Sequence, residues 1–112
     1  MAVVRMDSVA KNYKVGKVEV PALRGISLSI EKGDFAAIAG PSGSGKTTML
    51  NLFGCLDKPT GGKVYVEEHD IITLSSNQLA DVRNHHIGFI FQTFNLIPVL
   101  SAFENVEFPL IL

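Results

Sequence analysis

Gly40-Pro41-Ser42-Gly43-Ser44-Gly45-Lys46-Thr47 decides how this chain is read. The eight residues fit G-x-x-x-x-G-K-[ST], a loop that wraps phosphate. Glycines let the backbone take positive φ and turn its N–H groups inward around an anion. A helix that starts straight after the loop aims its positive dipole end at the same place. Lys46 supplies a mobile ammonium for β- and γ-phosphates, and the Thr47 hydroxyl is a hard oxygen of the kind Mg²⁺ takes. Thr48, next in line, adds an N–H for the α-phosphate. A plain glycine-rich turn would have no need of Lys-Thr at its end.

The flanks fit an α/β chain. Phe35 to Ala39 is a nearly continuous apolar run, as expected of a strand buried on both faces. Thr47 to Leu56 reads as a helix with Leu50, Phe53 and Leu56 on one face. Upstream, Val3 to Val9 reads as a strand and 12–17 as a loop or hairpin turn. Val18 to Val20 alternates, and Pro21 limits it to a sheet edge. Ile26, Leu28 and Ile30 repeat every second residue, and Lys32-Gly33-Asp34 makes a turn. Downstream, Val64 to Val66 is a short strand, and Ser75 or Ser76 caps a helix through about Asn84. Ile87 to Phe91 predicts a second buried strand, with Gln92 at its C-terminal end. Ser101 and Glu104 form a capping box that opens a last helix, which Pro109 should kink.

Composition sets limits. The chain has 112 residues, 46% of them apolar, which is one domain at most with material for a core. Ten basic and eleven acidic residues give a net charge of -1, which argues against a nucleic-acid partner. One cysteine excludes a disulfide framework. No apolar run approaches the roughly 20 residues that cross a bilayer. The ending Pro109-Leu110-Ile111-Leu112 is apolar and reads as a cut, not a natural stop.

A wider set of residues narrows the P-loop reading. Tyr13 comes first, and Ala22-Leu23-Arg24-Gly25-Ile26-Ser27-Leu28-Ser29-Ile30 leads into Gly33-Asp34-Phe35. Gly54-Cys55-Leu56-Asp57-Lys58-Pro59-Thr60-Gly61-Gly62 follows the P-loop helix. Then come Ile87-Gly88-Phe89-Ile90-Phe91-Gln92-Thr93-Phe94-Asn95-Leu96-Ile97-Pro98 and Glu104-Asn105-Val106-Glu107. Over essentially all 112 residues this resembles the N-terminal half of an ABC transporter ATP-binding subunit. The similarity is greatest to the subgroup that powers lipoprotein release and macrolide-type export.

The resemblance implies a fold and a set of roles. The fold is a P-loop NTPase of ABC type: an antiparallel β-subdomain, the P-loop strand and helix, and the Q-loop strand. Residues 1–112 would be one incomplete nucleotide-binding domain. ATP and Mg²⁺ are the implied cofactors, held by Gly40, Pro41, Ser42, Gly43, Ser44, Gly45, Lys46, Thr47 and Thr48. Tyr13 matches the aromatic residue that stacks on adenine; the plainer and lesser reading is a half-buried tyrosine at a strand end. Gln92 matches the Q-loop glutamine, which contacts Mg²⁺ beside Thr47 and, with Lys46, takes part in the reaction. The Thr93–Leu100 region resembles the surface that meets transmembrane permease subunits, although by itself it is also a buried loop. The family implies a second ATP-binding subunit and a cytoplasmic location, peripheral on the inner face of the cell membrane.

Some expected parts are not in these residues. In the family, an apolar strand ending in adjacent acids supplies the catalytic carboxylate, and here the two apolar runs end at Gly40 and Gln92. The serine-glycine-glycine signature and the switch histidine are not found either. The chain is therefore expected to hydrolyse ATP weakly or not at all alone, and a non-hydrolysing nucleotide- or permease-binding piece stays open as the alternative. His85-His86 reads as a surface helix end, His69 as part of a turn, and Cys55 as a small buried apolar group. Glu67, Glu68 and Asp70 read as a solvated acidic patch.

Overall fold

A computed structural model describes residues 2–41, 43–91 and 96–111, with the side chain of residue 111 left aside. Two 14-residue strands, β1 (Ala2–Val15) and β2 (Val18–Glu31), form an antiparallel hairpin. The expected turn narrows to Gly16-Lys17, with Gly16 at φ 64°, and residues 12–15 belong to the strand. β3 (Gly61–Val66) and the two-residue β4 (His69–Asp70) complete a sheet of order β2-β1-β3-β4. His69 thus lies in β4, just after the Glu67-Glu68 turn where it was expected. Pro21, opposite Asn12, sits on the edge strand, where its missing N–H removes no ladder bond on the open side.

The sheet bends where β1 and β3 fall out of register between Asp7 and Ala10. Ser8 there has φ 48° and faces Gly62 at φ 75°. A Cβ on Gly62 would stand 2.3 Å from the Ser8 carbonyl oxygen, so the close approach needs glycine. The Ser8 N–H freed by the bulge donates to Ser27 Oγ at 2.9 Å.

Helix α1 (Lys46–Phe53), α2 (Ser76–His86) and α3 (Ala102–Ile111) follow the expected positions closely. Ser75 caps α2 with Gln78 as its reciprocal partner. The Ser101–Glu104 box opens α3: Glu104 N–H donates to Ser101 Oγ at 3.2 Å, and Ser101 N–H donates to Glu104 Oε1 at 3.0 Å. α3 runs through Pro109 to its end. The core lies between the sheet and the first two helices. Met6, Val9, Val64 and Val66 meet Leu52 and Phe53 of α1 and Leu79 and Val82 of α2, all buried. In α1 the buried pair is Leu52 and Phe53, while Leu50 is half-exposed; the helix stops at Phe53, so Leu56, expected on the same helical face, lies beyond it and is half-exposed.

Two expected strands are corrected. Residues 34–41 and 87–91 carry no strand, and Phe35 and Ile90 are fully exposed, each at 103%. A buried strand exists only through ladder bonds to neighbours on both sides, and the described sheet pairs neither segment. Their apolar content still has some effect: Ile38 and Ile87 pack against the core. Between α1 and 87–91 lies a cavity of about 850 Å³ whose lining includes Leu50, Leu56, Phe89 and Phe91.

Candidate functional site

The glycine-rich loop ends at Gly45, which takes φ 92° and serves as the N-cap of α1. An L-residue there would be strained, and its Cβ would stand 2.9 Å from the Ala22 carbonyl oxygen. A glycine cap has no side chain, and no side-chain hydrogen bond closes the start of α1. The other described helices differ. Ser75 closes α2, Ser101 closes α3, and Asp70 closes the short 3₁₀ turn Ile71–Thr73. The first N–H groups of α1 are therefore left for an outside acceptor, next to the positive end of the helix dipole.

Other described loop residues lie close to the same helix start. Gly43 adds a second positive φ, at 83°, and Ser44 N–H closes a tight turn on the Pro41 carbonyl at 3.2 Å. The Lys46 ammonium folds back and donates to the Gly40 carbonyl oxygen, across the mouth of the loop. Thr47 is exposed and Thr48 half-buried, one residue further round the first turn. Ser42 and Gln92 lie outside the described residues.

Tyr13 comes to this site from the far end of β1. Its phenol oxygen lies 3.4 Å from Thr48 Oγ1, a long contact within part-buried surroundings. Lys11, two residues back, places its ammonium 5.3 Å from the centre of the Tyr13 ring. The same ammonium pairs with Asp57 Oδ1 at 3.1 Å and donates to the Lys58 carbonyl at 2.8 Å. Sequence reading missed Lys11; its spacing of two from Tyr13 along a strand was the available signal.

Of the Thr93–Leu100 region, residues 96–100 are described. Leu96 and Val99 are exposed, at 64% and 89%, so this part is not a buried loop. Asn105 of α3 holds it in place: Ile97 N–H donates to Asn105 Oδ1 at 2.8 Å, and Asn105 Nδ2 donates to the Leu100 and Ser101 carbonyls. His85 and His86 are exposed at the end of α2, as expected. Cys55 is buried, and burial raises its thiol pKa against the opposing pull of nearby Arg83. Among the described residues no group of three or more His, Cys, Asp or Glu is placed to hold a metal ion. None of the described helices is long and apolar enough to cross a membrane.

The donor set suits a magnesium-bound polyphosphate. It offers open helix N–H groups, glycines at positive φ, the Lys46 ammonium and a Thr47 hydroxyl, with an aromatic ring beside them.

Comparison with known proteins agrees with this chemistry. The family model described as ABC transporter matches residues 23–109. The ABC transporter ATP-binding protein YvrO of Bacillus subtilis, described as uncharacterized, is 50% identical over 106 residues, covering 95% of this chain and 46% of its own length. The macrolide export ATP-binding/permease protein MacB of Syntrophobacter fumaroxidans is 49% identical over 98% of this chain, which spans 15% of that protein. The solved ATP-binding cassette MJ0796, of Methanocaldococcus jannaschii, was seen as a dimer bound to ADP and Pi. It superposes with a TM-score of 0.89 at 52% identity, covering 96% of this chain and 47% of that one. The chain spans about half the length of the cassettes it matches. The partial ABC-type fold and the macrolide-export-type resemblance read from the residues are borne out. By its motifs, its fold and these matches, the chain belongs to the ABC transporter family.

Proposed function

We propose that this chain forms the nucleotide-holding part of an ATP-binding subunit that couples ATP binding and hydrolysis to export through permease partners. The open N-terminus of α1 carries the reading: it is the described helix whose cap is left to an outside anion. The backbone N–H groups of 43–48 and the Lys46 ammonium hold the phosphates, Thr47 and Gln92 ligate Mg²⁺, and Tyr13 stacks on adenine. Bound Mg²⁺ supplies charge neutralisation of the phosphate oxygens. Lys46 would leave the Gly40 carbonyl for the β- and γ-phosphates, which are the stronger acceptors. The permease names and the dimeric cassette among the relatives support membrane partners and a second ATP-binding subunit. The exposed Leu96 and Val99 support the 93–100 region as the permease-facing surface. A peripheral place on the cytoplasmic membrane face follows from those partners.

Binding to the native state raises stability by about 2.7 kcal/mol at a hundredfold excess over Kd. A thermal titration with Mg-ATP tests the proposal. The melting temperature should rise in the native chain and rise clearly less in Lys46→Ala; a flat curve in the native chain sinks it. Turnover by the 112 residues alone should be weak or absent, because neither apolar run ends in an acid. Robust Mg²⁺-dependent turnover abolished by Lys46→Ala would overturn that second point.

A further inference from the structure

We infer that Lys11 is a positioning residue for the base end of the nucleotide site, holding the Tyr13 ring so that one face stays available to a flat base. The inference rests on the reading of Tyr13 as the adenine platform and goes beyond it. Three observations converge on one ammonium. It stands over the Tyr13 ring at 5.3 Å, inside the range of about 6 Å where a cation and a π face attract. It pairs with Asp57 at 3.1 Å and donates to the Lys58 carbonyl at 2.8 Å, so the cation itself is anchored. The Lys11 side chain is only 14% exposed, which separates this pair from the weak ion pairs of open surfaces.

The geometry gives the ring two constraints. Its phenol end is held against Thr48 in the first turn of α1. One of its faces is held under Lys11, which is tied in turn to the 57–58 turn beyond α1. A cation on one face leaves the opposite face for stacking. A ring already fixed in place loses less freedom when a base settles on it, so binding is tighter. The Asp57–Lys11–Tyr13–Thr48 chain thereby joins both ends of the P-loop helix to the strand that carries the platform.

The test measures Kd for Mg-ATP and for Mg-tripolyphosphate, which has no base, on the full chain. Lys11→Met keeps the apolar stem and removes the cation. It should weaken Mg-ATP by about 3- to 10-fold and leave tripolyphosphate unchanged within about twofold. Lys11→Arg, which also pairs with carboxylates and stacks on rings, should restore most of the affinity. In a Tyr13→Ala background, Lys11→Met should have no further effect on Mg-ATP. Equal weakening of both ligands, or an undiminished effect without the ring, overturns the inference. If Tyr13→Ala weakens Mg-ATP but Lys11→Met does not, the inference alone fails. If Tyr13→Ala leaves Mg-ATP untouched, the platform reading fails and takes the inference with it.

Discussion

The phenol oxygen of Tyr13 lies 3.4 Å from the Thr48 hydroxyl, bringing the end of the first strand to the first turn of the P-loop helix. That contact puts an aromatic ring and a phosphate cradle side by side. A base stacked on such a ring is worth about 1–3 kcal/mol. Tyr13→Ala should therefore weaken Mg-ATP by about 5- to 150-fold. Tyr13→Phe keeps the ring and loses only a long hydroxyl contact, so its Kd should stay within about twofold of the parent. Calorimetric titration of both variants checks this, and equal losses in the two would show that the hydroxyl, not the ring, matters.

Lys46 makes its contact within the loop, to Gly40, and does not touch the buried core. Its removal should be felt by ligand far more than by the fold. Hydrogen bonds to charged groups are worth about 1.5–3 kcal/mol, so Lys46→Ala should cost both Mg-ATP and tripolyphosphate about 10- to 150-fold. The ligand-free melting temperature should move by no more than about 3 °C. A large fall in that temperature would assign Lys46 a structural role instead.

Two glycines separate strain from collision. Gly16 has φ 64° with open space around its Cβ position, whereas Gly62 has φ 75° and backbone oxygens at 2.3 and 2.5 Å. Gly16→Ala should cost about 1–2 kcal/mol, the price of a left-handed residue. Gly62→Ala should cost more than that, because the clashing atoms are Ser8 and Asp7 backbone and the β1–β3 pairing must move. Urea denaturation of the two variants ranks them; equal losses would show that the bulge can relax.

The α3 cap should respond to acid. The Ser101 backbone N–H, and after it the Ser101 hydroxyl, hold the Glu104 carboxyl below the ordinary glutamate range. Its pKa is thus lower folded than unfolded. The stabilisation is complete above the unfolded value and disappears as the pH falls through the folded one. Amide exchange at Ser101 and Glu104 should accelerate there in the parent. In Glu104→Gln, whose amide does not titrate, that acceleration should be missing.

Cys55 reports on folding. The thiol is 1% exposed and its pKa is raised by burial, so little thiolate is present near neutral pH. Iodoacetamide at pH 8 should alkylate it at least about 10-fold more slowly than free cysteine, and at the free rate in urea. Mass spectrometry of a time course reads this directly. Fast labelling without urea would mean that the α1–α2 core is open.

Local features were the legible ones. Ser101 with Glu104 settles a helix start within four residues of chain, and that box is formed; of the two candidate caps Ser75 and Ser76, the structure uses Ser75. Pro21 foretold an edge strand because a residue without an N–H cannot be bonded on both sides. The alternation of Ile26, Leu28 and Ile30 returned as half-buried positions along β2. What failed were the buried strands at 35–39 and 87–91. An apolar run records that a segment avoids water, but a strand is made by ladder bonds to other backbone, and a pattern within one segment carries no such partner.

By itself the sequence determined the phosphate loop, the helix caps, the edge strand and the family, because each depends on a few adjacent residues or on their order. The tertiary structure decided what meets what. It brought Tyr13 to Thr48, set Lys11 between Tyr13 and Asp57, and left the N-terminus of α1 open while the other described helices closed theirs. These are contacts across 35 and 46 residues of chain, governed by the bulges and register of β1 and by the packing of α1 on the sheet. Neither register nor packing is written in any one segment, since each is a relation between two backbones.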